Sequence, residues 1–183
     1  MIHYVGFCGK AGAGKTTACN ILKELHQKQP PPPACLILPW ADELKRIARE
    51  EFGWDGKKDE KGRRLLQVIG TECGRMYGGD LFWVNKWQQK VDEFITAGMI
   101  AVGVNVLILN DDTRFDSEAI HIKERGGTLI KLFGRQDDLG ANSNHSSETG
   151  IDHQYIDYSL DNGNPMEDLQ EKLTHFYGEL KWD

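Results

Sequence analysis

Eight residues near the start of the chain, Gly9-Lys10-Ala11-Gly12-Ala13-Gly14-Lys15-Thr16, constrain it more than any other stretch. They fit G-x-x-x-x-G-K-[ST], the phosphate-binding loop pattern. Glycines at 9, 12 and 14 permit a left-handed backbone and let a ligand approach the main chain closely. Successive N–H groups then line a concavity for an anion, and the following helix adds the positive end of its dipole. Lys15 is spaced to reach the outer phosphates of a nucleotide, and the Thr16 hydroxyl to meet Mg²⁺. Such a loop works only between a strand and a helix. Residues 3–8 read as a buried strand, and 17–28 as a helix with Ile21, Leu22 and Leu25 on one face.

The same alternation continues. Apolar runs at 34–38, 101–109, 128–133 and 155–160 predict four more strands. The four prolines at 30–33, after Gln29, end the first helix and stiffen its exit. A second helix starts near Asp42, expected as its N-cap, with Leu44, Ile47, Ala48 and Phe52 inward. Residues 53–62 are polar and read as a loop. A helix over 63–76 turns Leu65, Leu66, Ile69 and Cys73 inward. Another, capped by Asp80, runs to residue 97 with Phe82, Val84, Trp87, Val91, Phe94 and Ile95 as its apolar set. A helix is predicted over 117–125, and Pro165 is expected at the first position of the last one.

Strands alternating with helices predict a three-layer α/β/α fold around a mostly parallel five-stranded sheet. The chain reads as one domain, 1–183. Its core is 1–40 and 98–183, with a helical insertion over about 41–97. The Gly/Asn/Ser-rich stretch over about 135–153 is read as a mobile lid. Ligands of such sheets bind beyond the carboxyl ends of the strands. Residues 9–16, 40–45, 110–114 and 134–135 all follow predicted strands.

Charge and cysteine usage narrow the partners. The 183-residue chain carries a net charge of −6. That argues against a surface built to neutralise a nucleic-acid backbone, so nucleic acid is not expected as a partner. The four cysteines, at 8, 19, 35 and 73, show no C-x-x-C spacing, so neither structural zinc nor a disulfide framework is expected. His145 and His153 lack further ligand-type partners at metal spacing. No apolar stretch approaches the length of a membrane span, and no leader opens the chain; a cytoplasmic protein is the expectation. A homodimer is left open.

Phosphate loops serve GTPases, motor ATPases and small kinases. No N-K-x-D guanine signature is present. The helical insertion after the second strand is where a small kinase holds its phosphoryl acceptor. Asp111-Asp112, ending an apolar strand, suggests the second acidic Mg²⁺ site, with Asp112, or else Asp111, beside Thr16. Two polyanions can meet only if cations screen them, since unit charges ~4 Å apart repel by about 4 kcal/mol at an effective ε of 20. Lys10, Lys15, Lys45, Arg64, Arg75, Arg114 and Arg135 are available. Two other readings stay open. One is a kinase of a hydroxyl acceptor, similar to dephospho-coenzyme A kinase, with Asp42 or Asp112 as base. The other is a nucleotide-gated switch.

Several blocks occur in a telling order. They are Trp40-Ala41-Asp42-Glu43-Leu44-Lys45, Gly62-Arg63-Arg64-Leu65-Leu66-Gln67, Gly70-Thr71-Glu72-Cys73-Gly74-Arg75, Asp112-Thr113-Arg114-Phe115 with Glu118-Ala119, and His145-Ser146-Ser147-Glu148. In this the chain resembles the deoxynucleoside monophosphate kinases of bacteriophages, over residues 3 to about 165. That family carries blocks of the form F-A-D-P-L-K, G-R-x-L-L-Q, G-T-E-x-x-R, D-V-R-F-x-N-E-A and H-x-S-E. The chain departs from it at Thr16, where many members have Asp, and at Glu43, where Pro is usual.

The resemblance implies transfer of the γ-phosphoryl group of ATP, with Mg²⁺, to a dNMP, giving dNDP and ADP. The phosphate-loop pattern assigns Gly9, Lys10, Ala11, Gly12, Ala13, Gly14, Lys15, Thr16 and Thr17 to the ATP phosphates, and Thr16 with Asp112, or else Asp111, to Mg²⁺. Lys15, Arg114 and Arg135 act on the transferring group. Asp42, Lys45, Arg64, Arg75 and Arg114 hold the acceptor. Trp83 and Tyr77 are candidates to stack on its base, with core packing as the other reading of both. His145 and Glu148 match the family block within the lid.

Overall fold

Val106–Asn110 has no exposed residue, and this sets its place between two neighbours. A strand apolar on both faces needs helices above and below and pairing on both edges. The structure, a computed structural model, describes residues 1–30, 32–97, 104–134 and 150–182. Arg135, His145, Glu148 and most of the expected lid lie outside the described residues, as does 101–103 of the expected third strand.

The chain divides into two compact units, Met1–Pro39 with Ile100–Asp183, and Trp40–Met99. The first is built on five strands: β1 (Ile2–Cys8), β2 (Ala34–Ile37), β3 (Val106–Asn110), β4 (Thr128–Phe133) and β5 (Tyr158–Asp161). They lie in the order β2-β3-β1-β4-β5, and every pairing is parallel. Side chains alternate across the sheet. Val5 and Phe7 of β1, Leu107 and Leu109 of β3, and Ile130 and Leu132 of β4 face one layer. There they meet Ala18, Cys19 and Leu22 of helix α1 (Lys15–Gln27) and Leu169, Leu173 and Phe176 of helix α6 (Met166–Glu179). On the opposite face α5 (Asp116–Glu124) brings Ile122 so close that a Cβ on Gly6 would stand 2.4 Å from its Cδ1. The expected three-layer α/β/α arrangement is thus present in this unit.

The second unit is helical: α2 (Asp42–Glu50), α3 (Glu60–Gln67), a π-helical stretch (Val68–Tyr77) and α4 (Phe82–Thr96). Ala48, Ile69 and Trp83 form its core, with Leu44, Ile47, Trp54, Leu65, Leu66 and Phe82 packed on them. Trp40 and Trp87 stack beside it at 4.5 Å. Asp59 caps α3 by accepting from the Gly62 N–H at 2.8 Å, so the polar stretch expected as loop to residue 62 already turns helical at Glu60.

Several expectations are corrected. Asp42 does not cap α2 but opens it, with Ala41 at the cap. Its carboxylate sits in the first turn, where the helix dipole favours it, and takes Lys90 Nζ at 3.2 Å. Asp80 does not cap α4, which starts at Phe82 after Leu81. Phe52 is exposed because α2 ends before it. Cys73 is exposed because the wider turn of the π-helical stretch moves it off the stripe that a 3.6-residue period predicts. Ile95, expected inward on α4, is exposed. β5 begins only at Tyr158. Residues 153–155 wind into a 3-10 turn whose N-cap, Asp152, accepts from the Gln154 N–H at 3.1 Å. Pro165 stands at the cap of α6 rather than inside it.

Among the described residues no helix is long and apolar enough to cross a membrane.

Candidate phosphate-binding site

β1 delivers the chain into the glycine loop, and α1 takes it out. Gly9, Gly12 and Gly14 have φ of 130°, 78° and 94°, conformations that side chains resist. Two of these glycines are also needed for space. A Cβ on Gly9 would lie 2.3 Å from the Leu132 carbonyl oxygen, and one on Gly14 would lie 2.4 Å from Asn162 Nδ2. Lys15 opens α1 and folds its ammonium back over the loop. It donates to the carbonyls of Gly9 at 2.8 Å and Lys10 at 2.7 Å. The cation is therefore held at the mouth of the anion cradle by groups that a phosphate oxygen can replace.

Thr16 Oγ1 donates to Asp111 Oδ2 at 2.6 Å. The register explains the meeting. Gly6 of β1 lies beside Asn110 of β3, so the glycine loop and the acidic turn leave adjacent strands at the same level. A hydroxyl and a carboxylate oxygen brought together from two strand ends suit Mg²⁺, which takes few protein oxygens and keeps several waters. Of the acidic pair it is Asp111, not Asp112, whose side chain meets Thr16. The Asp112 N–H instead donates to Asn110 Oδ1 at 3.1 Å. Among the described residues no group of three or more His, Cys, Asp or Glu side chains is placed to hold a metal.

Asn110 is the knot of this edge. Its Nδ2 donates to the Leu38 carbonyl at 2.8 Å, and its Oδ1 also accepts from Thr113 Oγ1 at 3.0 Å. Two turn residues, Asp112 and Thr113, are thereby tied through Asn110 to the residue that follows β2. Glu118, buried at the start of α5, accepts from the N–H groups of Arg114 at 2.8 Å and Phe115 at 3.2 Å. That fixes the backbone from which the exposed Arg114 side chain extends. Asn162, just after β5, donates from Nδ2 to the Ala13 carbonyl at 2.9 Å. Sequence reasoning singled out none of Asn110, Thr113 or Asn162. The only signal was an amide ending an apolar strand, which is a common composition.

Burial dominates the thiols near the loop. Cys8 is pushed up to about 11 by desolvation, against the opposing pull of Lys131 and Lys15. Cys19 lies under the acidic turn and is raised far above the ordinary thiol range by burial, with Asp111 adding to it. Both stay protonated and inert.

The remaining predicted site residues of the helical unit fall as follows. Lys45 is half-buried on α2. Arg64 pairs with Glu72 at 2.7 Å on an exposed surface. Arg75 is half-buried, and its guanidinium donates to the Asp80 carbonyl at 3.3 Å. Trp83 is corrected as a platform for a base. It is 4% exposed, and its Nε1 donates to the Gly70 carbonyl at 2.8 Å. Gly74 lets the ring in, since a Cβ there would be 2.4 Å from Trp83 Nε1. Tyr77, by contrast, is 89% exposed.

The fold and this edge define a parallel α/β domain with a glycine-rich phosphate-binding loop at the carboxyl ends of its strands. Comparison with solved structures bears on the fold alone. A protein of Chloroflexus aurantiacus described as a candidate kinase matches over 98% of this chain and 98% of its own, at 13% identity and a TM-score of 0.53. A shikimate kinase from Acinetobacter baumannii in complex with shikimate matches over 99% of this chain and 97% of its own, at 16% identity and a TM-score of 0.45. A hexameric APS kinase from Thiobacillus denitrificans matches over 99% of this chain and 30% of its own, at 14% identity and a TM-score of 0.44. At such low scores the last two carry no inference. No protein-family model matches the chain, and no curated protein does.

Proposed function

We propose that this chain is an ATP-dependent phosphotransferase whose acceptor is a deoxynucleoside monophosphate, giving dNDP and ADP. The observation that carries the first half is the Thr16–Asp111 contact at the lip of a left-handed glycine loop, with Lys15 already inside it. The second half rests on the ordered blocks that resemble the phage kinases.

ATP supplies the transferable phosphoryl group, and Mg²⁺ screens its charge. The chain supplies position and electrostatics. The N–H groups of residues 9–17 cradle the phosphates. Lys15 exchanges two carbonyl partners for phosphate oxygens. Thr16 and Asp111 hold the metal, with Asp112 beside them. Arg75 and Arg114 bind the acceptor phosphate through their planar forks, with Lys45 and Arg64 assisting. Arg135 and Arg114 stabilise charge on the group in transit. Tyr77 offers an open ring to the base.

An acceptor phosphate, with a second pKa near 6, is already largely dianionic at neutral pH and needs no base. A hydroxyl acceptor would need one. Asp42, a candidate for that role, is instead ion-paired with Lys90 at 3.2 Å, which supports the phosphate acceptor.

The test is an ADP-release assay across dGMP, dTMP, dCMP, dAMP, their ribo counterparts and simple alcohols. Turnover on a deoxynucleotide, abolished in a folded Lys15→Ala protein, is expected. Turnover only on alcohols would move the reading to a hydroxyl kinase. Tight ATP binding with no turnover on any acceptor would make it a switch.

A further inference from the structure

Asn162 is 1% exposed, yet among the described residues only half of its amide finds a partner. Nδ2 donates to the Ala13 carbonyl at 2.9 Å, while Oδ1 is buried with no partner among the described residues. Rotating the amide would set oxygen against oxygen at Ala13, so the Ala13 carbonyl dictates the orientation. A buried acceptor left unmatched is unfavourable. Asn162 is nevertheless held in place firmly. Its own N–H donates to the Phe133 carbonyl at 2.7 Å. The preceding Asp161 accepts from the Gly163 N–H at 2.8 Å through Oδ1 and from Lys172 Nζ at 2.8 Å through its carbonyl.

We infer that Asn162 is a positioning residue that aims the Ala13–Gly14 peptide of the glycine loop at the bound phosphate. The peptide unit is planar and trans, so its C=O and N–H point in opposite directions. Fixing the Ala13 oxygen against Asn162 turns the Gly14 N–H the other way, away from the turn after β5. Gly14 has φ 94° and ψ 16° at the N-cap of α1. Its missing Cβ is the space that Asn162 Nδ2 enters. The ends of β4 and β5 thereby set the direction of one N–H of the anion cradle through a single side chain. This rests on the reading of the loop as the ATP phosphate site. It adds a residue 149 positions away whose effect runs through the phosphates and not through the base.

The experiment measures binding of pyrophosphate and of adenosine by calorimetry, with ATP kinetics, for wild type and Asn162→Asp. The aspartate is isosteric but cannot donate to Ala13. Pyrophosphate should bind it roughly tenfold or more weakly, with adenosine within about twofold. KM for ATP should rise more than kcat falls. A merely structural role would lower the melting temperature and leave the pyrophosphate-to-adenosine ratio unchanged, which overturns the inference. Loss of adenosine binding alone overturns it too, by making the turn a base contact. Should the aspartate variant not fold, Asn162→Ala carries the same expectation without the charge. A third readout needs no variant: in wild type labelled with ¹⁵N-asparagine, the Asn162 side-chain amide signals should move on saturation with pyrophosphate, and static signals reject the coupling. If wild type itself binds no pyrophosphate, the phosphate-site reading fails first. If wild type and variants bind it equally, only the role of Asn162 fails.

Discussion

Thr16 Oγ1 donates to Asp111 Oδ2 across 2.6 Å, joining the first turn of α1 to the end of β3. If this pair holds Mg²⁺, Asp111→Asn should raise the half-saturating Mg²⁺ concentration by roughly 10- to 100-fold. Asp112→Asn should have a smaller effect. A Mg²⁺ titration of turnover ranks the two, and the reverse ranking would return the metal to Asp112.

Arg75 is half-buried, and its guanidinium reaches the Asp80 carbonyl at 3.3 Å. Arg75→Ala should raise KM for the dNMP by about 10- to 100-fold, the scale of a lost charge-assisted hydrogen bond, and leave KM for ATP nearly unchanged. Lysine should not restore it, because a bidentate fork is needed. Arg64 sits in an exposed ion pair with Glu72, and Arg64→Ala should shift stability by no more than about 1 kcal/mol. Steady-state kinetics with each substrate varied separately, together with a denaturant curve, decide both points.

His26 is 1% exposed. Its Nε2 donates to the Ala34 carbonyl at 3.2 Å, so its Nδ1 accepts from the Tyr177 hydroxyl at 2.9 Å. Trp182 stacks on the ring at 4.6 Å, and His3 holds the same C-terminal segment through the Lys181 carbonyl at 2.8 Å. Burial lowers the His26 pKa below the ordinary histidine value. The unfolded chain therefore takes up the proton first as pH falls. Stability should be intact above about pH 6.5 and decline below it. His26→Gln should flatten that slope. Melting temperatures between pH 5 and pH 8 give the answer, and an unchanged slope in the variant would shift the acid response elsewhere.

Thiol labelling should be strongly selective. Cys8 and Cys19 are buried, and burial lifts Cys35 to about 12. Cys73 is exposed on the π-helical stretch. A neutral alkylating reagent should modify one thiol of four at pH 8 in the native protein, and all four in denaturant. Mass mapping of the labelled peptide checks this. Rapid native labelling of Cys19 would mean that α1 does not cover it.

What the amino-acid order settled by itself was local. Glycine spacing at 9, 12 and 14 marked the anion loop, because only glycine accepts those backbone angles. Apolar runs bounded by turn residues marked strands, because a strand covered on both faces has no use for polar side chains. Their alternation with helices made a parallel sheet the expected arrangement, and that is the arrangement found. Short-range windings were less legible. The π-helical stretch put Cys73 on the surface, because one wide turn resets a period that sequence reading must assume constant. Tertiary structure alone decided that Asp111 and not Asp112 meets Thr16, and that Asn162 holds Ala13. The partners are 95 and 149 positions apart in sequence. A hydrogen bond depends on tenths of an ångström between strand ends, and residue order carries no such distance until the sheet has set its register.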